Sequence, residues 1–162
     1  MAQDRAVYAA EDRIQRWADL AGRHGGVSVF GSIWHPEPLA RFGSVDDAAA
    51  YVQRVLDHLG HPSPVRVRAR RGATRAHYEA TPEPAIAVPP AEIGGSWALQ
   101  ELVVLHELAH HLAPPADDPH GPAFRRTLVD LLETTNHPVL AHLAVIAFTD
   151  AGLPPAPTRV SA

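Results

Sequence analysis

Residues 97–113 read WALQELVVLHELAHHLA, with Gly94-Gly95 and Ser96 before them and Pro114-Pro115 after. Nothing else in the chain restricts its fold so tightly. Ser96 is a plausible N-cap and the paired prolines a stop, so a helix is expected from Trp97 to Ala113. On that helix His106 and His110 lie about 40° apart and one turn up, and Glu107 lies about 60° from His110. Leu102, Leu105, Ala109 and Leu112 fall on the face beside the histidines, and Trp97, Val104 and Leu108 on the far one. A helix apolar on nearly all sides must be buried, and burial holds the imidazoles rigidly.

The rest of the composition frames that helix. A chain of 162 residues has room for one ordinary domain. Apolar residues at 46% and charged residues at 20% are a globular balance, and 16 prolines with 11 glycines are too many for a plain helix bundle. There is no cysteine, which excludes disulfides, thiolate zinc ribbons, iron-sulfur ligation and cysteine nucleophiles. Any metal must therefore be held by His, Asp or Glu. The basic residues are all arginine, and a net charge of -4 argues against bulk electrostatic capture of nucleic acid. The N-terminal stretch MAQDRAVYAAEDRIQRW is charged throughout and no apolar run is long enough for a membrane span, so a cytoplasmic protein is expected.

Along the chain, helical spacing of Val7, Ile14, Trp17 and Leu20 predicts a helix from Arg5 to about His24. The alternating run VSVFGSIW predicts a strand with a bulge at Gly31. Ser44 and Asp47 resemble a capping box, opening a helix that runs to Leu59 and stops at Gly60. Val65, Val67 and Ala69 alternate with Arg66, Arg68 and Arg70, a strand with its arginines outward. A turn at Arg71-Gly72 would return the chain as a second strand, Thr74 to Ala80, and Ala85 to Val88 would form a third, giving a small antiparallel sheet. Two further helices are expected, Ala123 to Thr134 and Pro138 to Ala151. The expectation is a single α+β domain over 1–152 and a loose Pro/Ala-rich tail over 153–162.

His106-Glu107-Leu108-Ala109-His110 is an HExxH motif, two imidazoles and a carboxylate on one rim, the pattern that suits a tetrahedral zinc ion. A third protein ligand is needed, leaving the fourth position for water. His120 is preferred, because it follows a helix stop and a Pro-rich turn that can fold back, with Gly121 allowing close backbone approach. Glu133 in the next helix is the alternative, with Asp117 and Asp118 behind it. The metzincin pattern is not met, since Ala113 and Ala116 occupy the positions of its glycine and third histidine.

HELAHHL followed by HGPAF resembles the HELAH...HGxxF signature of SprT-like and related small zincin-like metallopeptidases. A closer similarity is to a family of small actinobacterial metallohydrolases. It is carried by VRARRGATRAHYEA, IAVPP and GGSWALQELVVLHELAHHL, with YAAED and RFGSV upstream, and covers most of the chain. The resemblance implies a zincin-like fold in which a small sheet packs on the HExxH helix. It also implies one zinc ion on His106, His110 and His120, with Glu107 catalytic. No zinc ribbon or DNA-binding extension follows the motif, so a DNA-repair protease role is not implied.

The chemistry expected of these residues is hydrolysis of an amide by zinc-activated water, Glu107 taking the water proton and returning it to the leaving amine. The substrate would be a peptide or a small amide. Tyr78, His77 and Arg75 are candidate oxyanion donors, and the strand that carries them could hold an extended peptide. Two other readings stay open: a metal-dependent amidase acting on a small molecule, and a zinc-stabilised binding module without turnover. His111 points away from the motif's rim, as a surface or supporting residue. His24, His58, His61, His137 and His142 read as ordinary helix-end or turn residues, and Trp17, Trp34 and Trp97 as core or subsite walls. Arg66, Arg68, Arg70, Arg71 and Arg75 read as a solvated sheet face.

Overall fold

The computed structural model describes residues 2–158, a mixed α+β chain. Its contacts separate into two compact units, one made of Met1–Leu39 with Ala113–Ala162 and the other of Ala40–Leu112.

The first unit holds α1 (Ala2–His24), a hairpin of β1 (Val27–Val29) and β2 (Ser32–Trp34), α4 (Pro122–Thr134) and α5 (Pro138–Asp150). α5 packs on both α1 and α4. The expected amphipathic stripe of α1 is the face that goes inside, with Val7, Ile14, Trp17 and Ala21 buried. Facing helices contribute Phe124, Leu128 and Leu132 from α4 and Leu140, Leu143, Ala147 and Phe148 from α5. Both α4 and α5 start with proline, whose missing N–H is harmless in a first turn.

The VSVFGSIW run is not one bulged strand. It folds back on itself, pairing Val27 with Trp34 and Val29 with Ser32. Phe30 and Gly31 take φ of 48° and 81°, the pair of left-handed residues that a tight two-residue hairpin turn requires. The segment expected to be loose is tied down as far as Ala156. Its amide donates to Pro122, its carbonyl accepts from Arg126 Nε at 2.6 Å, and Pro154 accepts from Arg125. Arginines near the start of α4 supply partners that the tail's own composition does not reveal. Residues 159–162 of that expected tail lie outside the described residues.

The second unit contains α2 (Val45–Leu59), β3 (Arg66–Ala69), β4 (His77–Glu79), β5 (Ala85–Val88) and α3 (Glu101–Leu112). α2 starts as expected, the Ser44 side chain accepting from the amide of Asp47. The sheet differs from expectation. Its order is β3-β5-β4, with β3 parallel to β5 and β4 antiparallel to it. β3 and β4 are not paired, so no hairpin turns at Arg71-Gly72. The physical reason is in β5: all four of its residues, Ala85 to Val88, are buried, and an unbroken apolar run belongs in the middle of a sheet rather than at an edge.

The helix over 97–113 is also shorter than expected. Ser96–Leu99 forms a 3-10 turn, Gln100 is extended, and α3 begins at Glu101. Gln100 pairs in a β-bridge with Arg41, while Phe42 donates to Leu99 and Glu101 to Ala40. Those bonds take the backbone of Gln100 out of the helix. Just upstream, Gly95 packs so tightly that a Cβ there would sit 2.3 Å from the carbonyl oxygen of Pro89. α3 packs on β4, on α2 and on the preceding 3-10 turn. Leu102, Val104, Leu105, Leu108 and Ala109 are buried, as the near-continuous apolar surface required. Among the described residues, no helix is long and apolar enough to cross a membrane.

Candidate metal centre

α3 carries His106, Glu107 and His110 on adjoining turns. His106 and Glu107 are buried at 3% and 6% exposure, and His110 is half-buried. Nε2 of His106 lies 3.2 Å from Nε2 of His110, and the rings meet edge to face at 75°. A tetrahedral zinc with Zn–N bonds of about 2.0–2.1 Å separates neighbouring ligand nitrogens by about 3.3–3.4 Å. The two rings therefore stand close to the spacing that one such ion demands. The base of the helix is anchored by Glu101, which accepts from Ala40 N at 2.6 Å and from the Tyr51 hydroxyl at 2.5 Å. Bonds to a buried carboxylate are worth more than neutral ones, so this anchor stiffens the turn below the histidines.

His120 sits in the turn before α4, buried at 8% exposure. Asp118 shapes that turn: its Oδ1 accepts from His120 N at 3.1 Å, its carbonyl accepts from Gly121 N, and its Oδ2 accepts from Gln3 Nε2. Arg125 Nη1 donates to the carbonyl of His120. Burial lowers the pKa of Arg125, the nearby Asp118 carboxylate opposing that shift. Tyr8 and Phe124 place their rings edge-on to the imidazole, with centroids 5.4 and 5.0 Å away. Nδ1 of His120 lies 2.9 Å from Oδ1 of Asp4. An ionised carboxylate only accepts, so Nδ1 carries a proton.

His106 and His110 stand together on α3 in the second unit, and His120 lies in the first. Glu133, the alternative third ligand, is exposed near the end of α4. Asp117 is exposed as well, and Asp118 is committed to the turn. Imidazole nitrogens, buried and without competing thiolates, are a donor set suited to zinc and its divalent neighbours.

Two of the candidate oxyanion donors, Tyr78 and His77, are engaged with neighbours. His111 Nε2 is 3.0 Å from the carbonyl of Ser63 and must donate there, so its Nδ1 accepts from the Tyr78 hydroxyl at 3.1 Å. Burial raises the pKa of Tyr78. By the same reasoning His77 Nε2 donates to Glu79 Oε1 at 2.7 Å and its Nδ1 accepts from Arg70 Nη1 at 3.1 Å. Arg70 also donates to the backbone carbonyl of Arg75. Arg68 Nη2 lies 2.7 and 2.9 Å from the two oxygens of Glu79, lowering the pKa of that carboxyl, with His77 helping. Arg68 thus pairs with a neighbouring acid, but the strand is not the arginine-outward face expected, since Arg68 and Arg70 are half-buried and Ala69 is exposed.

Of the remaining histidines, His24 and His58 are exposed, the His61 ring rests against His111, and His142 stacks on Trp34. His137 is buried at the start of α5. Trp17 is in the core, whereas Trp97 is 38% exposed and donates to Ala73 O. Sequence reasoning missed Asp4, Tyr8 and Glu101. Asp4 reads as an ordinary acid in a first helical turn, and only Glu101, an acid inside an apolar helix, left a usable trace. Comparison with protein-family models, with curated proteins and with solved structures finds no match.

Proposed function

We propose that this chain is a zincin-like, zinc-dependent hydrolase, a metallopeptidase that cleaves amide bonds. His106, His110 and His120 would hold the ion and Glu107 would act as general base. The observation that carries this reading is the 3.2 Å approach of the Nε2 atoms of His106 and His110 on the helix that also bears a buried glutamate. The packing of α3 against β4 agrees with a zincin-like arrangement of motif helix and sheet.

Zinc, when bound, supplies Lewis acidity, bringing the pKa of water toward about 7 and polarising a carbonyl. The chain's own residues do the rest. Glu107 accepts a proton from water on a carboxylate oxygen and delivers it to the departing nitrogen. Glu101, through Tyr51 and Ala40, keeps the helix under the histidines in place.

The test is Glu107→Gln assayed on quenched fluorescent casein, with zinc content measured in parallel. The expected result is one zinc per chain retained and hydrolysis reduced by about 100-fold to 10,000-fold, the usual contribution of a positioned base. Hydrolysis undiminished in the variant overturns the assignment. Wild-type protein that holds zinc through a fourth protein ligand and cleaves nothing would instead be a closed binding module.

A further inference from the structure

We infer that Asp4, on the first turn of α1, is a positioning residue that fixes His120 in the Nδ1–H tautomer and so turns its Nε2 lone pair outward as a ligand. This rests on the proposed function for its consequence but not for its geometry. Histidine ligands gain orientation and basicity when the second ring nitrogen donates to a carboxylate. The separation is 2.9 Å between Asp4 Oδ1 and His120 Nδ1, across 116 residues of chain.

The contact is not isolated. Gln3, the preceding residue, donates to Asp118, the residue that shapes the His120 turn. Tyr8, one turn further along α1, lays its ring against the imidazole. One face of the first two turns of α1 therefore addresses the third histidine through a carboxylate, an amide and a ring. Arg125 holds the backbone carbonyl of the same residue from the other side. The imidazole is 10% exposed as a side chain, so solvent does little to orient it. His106 and His110 need no such help, because one helix sets their spacing. His120 comes from a turn, where a ring is free to rotate unless something holds it.

Without Asp4 the neutral imidazole would revert toward the Nε2–H form that histidine side chains prefer in water, and that proton would sit on the atom meant to bind the ion. Two readouts separate this role from general support of the fold. The first uses metal-free protein and 15N chemical shifts of the His120 ring. Wild type should show Nδ1 protonated and Nε2 bare, Asp4→Ala should lose that pattern, and Asp4→Glu should restore it in part.

The second readout is zinc affinity by chelator competition. Asp4→Asn and Asp4→Ala are expected to bind zinc about 10-fold to 100-fold more weakly than wild type. Arg13→Ala, which breaks an ion pair elsewhere on α1, should change nothing. The inference is overturned if the ring shifts of wild type and Asp4→Ala coincide, or if all variants bind zinc equally. If wild type binds no zinc, the proposed function fails and the ring shifts alone decide the role of Asp4.

Discussion

Nε2 of His106 and Nε2 of His110 face each other at 3.2 Å on successive turns of α3. Two neutral imidazole nitrogens at that distance need something between them, a proton or a cation, since two lone pairs repel. In the proposed function a zinc ion would take that place, with His120 as its third ligand.

Zinc should therefore stabilise the fold. At about 100 times its dissociation constant, a ligand specific to the native state adds about 2.7 kcal/mol. For a chain of this size that corresponds to a rise in Tm of about 5–11 °C. Thermal unfolding with zinc and with excess chelator checks it. Coincident curves would count against a native zinc site.

Tyr51→Phe removes the hydroxyl that donates to Glu101 and keeps the ring that packs on Phe42. The buried carboxylate then lacks one charge-assisted partner, a loss of about 1–3 kcal/mol. Chemical denaturation should show a lower midpoint with an unchanged slope. An unchanged midpoint would mean that the anchor below the histidines carries no energy.

Two glycines give opposite expectations. Gly95→Ala drives a Cβ to 2.3 Å from a backbone oxygen that cannot swing aside, and overpacking of this kind costs about 1–3 kcal/mol. Gly22→Ala, inside α1 with open space around the new methyl, should stabilise by about 0.4–1 kcal/mol. The difference in unfolding midpoint between the two variants is the measurement, and a reversed order would contradict the packing described before α3.

Glu79 is held below the ordinary carboxylate range, first by Arg68 and then by His77. A depressed folded-state pKa stabilises the native state above the unfolded value and loses that contribution as pH falls through the folded one. The Arg68–Glu79 link should thus weaken only on the acid side, below the usual glutamate pKa. NMR titration of the Glu79 carboxyl in wild type and Arg68→Ala tests this. The midpoint should rise toward the ordinary value in the variant, and an unmoved midpoint would assign the shift elsewhere.

Much of this architecture was legible from local pattern. The stripe of α1, the Ser44 cap, the proline start of α5 and the histidine spacing on α3 all follow from interactions within a few residues. The departures share another cause. Gln100 leaves the helix because Arg41 pairs with it, β3 chooses β5 over β4, and Asp4 reaches His120 across most of the chain. Each is a contact between segments distant in sequence, and residue type alone does not encode such a partner. VSVFGSIW is the exception, since its Phe-Gly turn is local. The period-two pattern hid it, because a hairpin and a bulged strand alternate in the same way.

The central claim is that three histidines bind one ion, and metal content per chain tests it most directly. Elemental analysis of protein loaded with zinc and then desalted should find one equivalent in wild type and in Glu133→Ala, and a substoichiometric amount in His120→Ala. A full equivalent retained by His120→Ala, or none in wild type, would contradict the account.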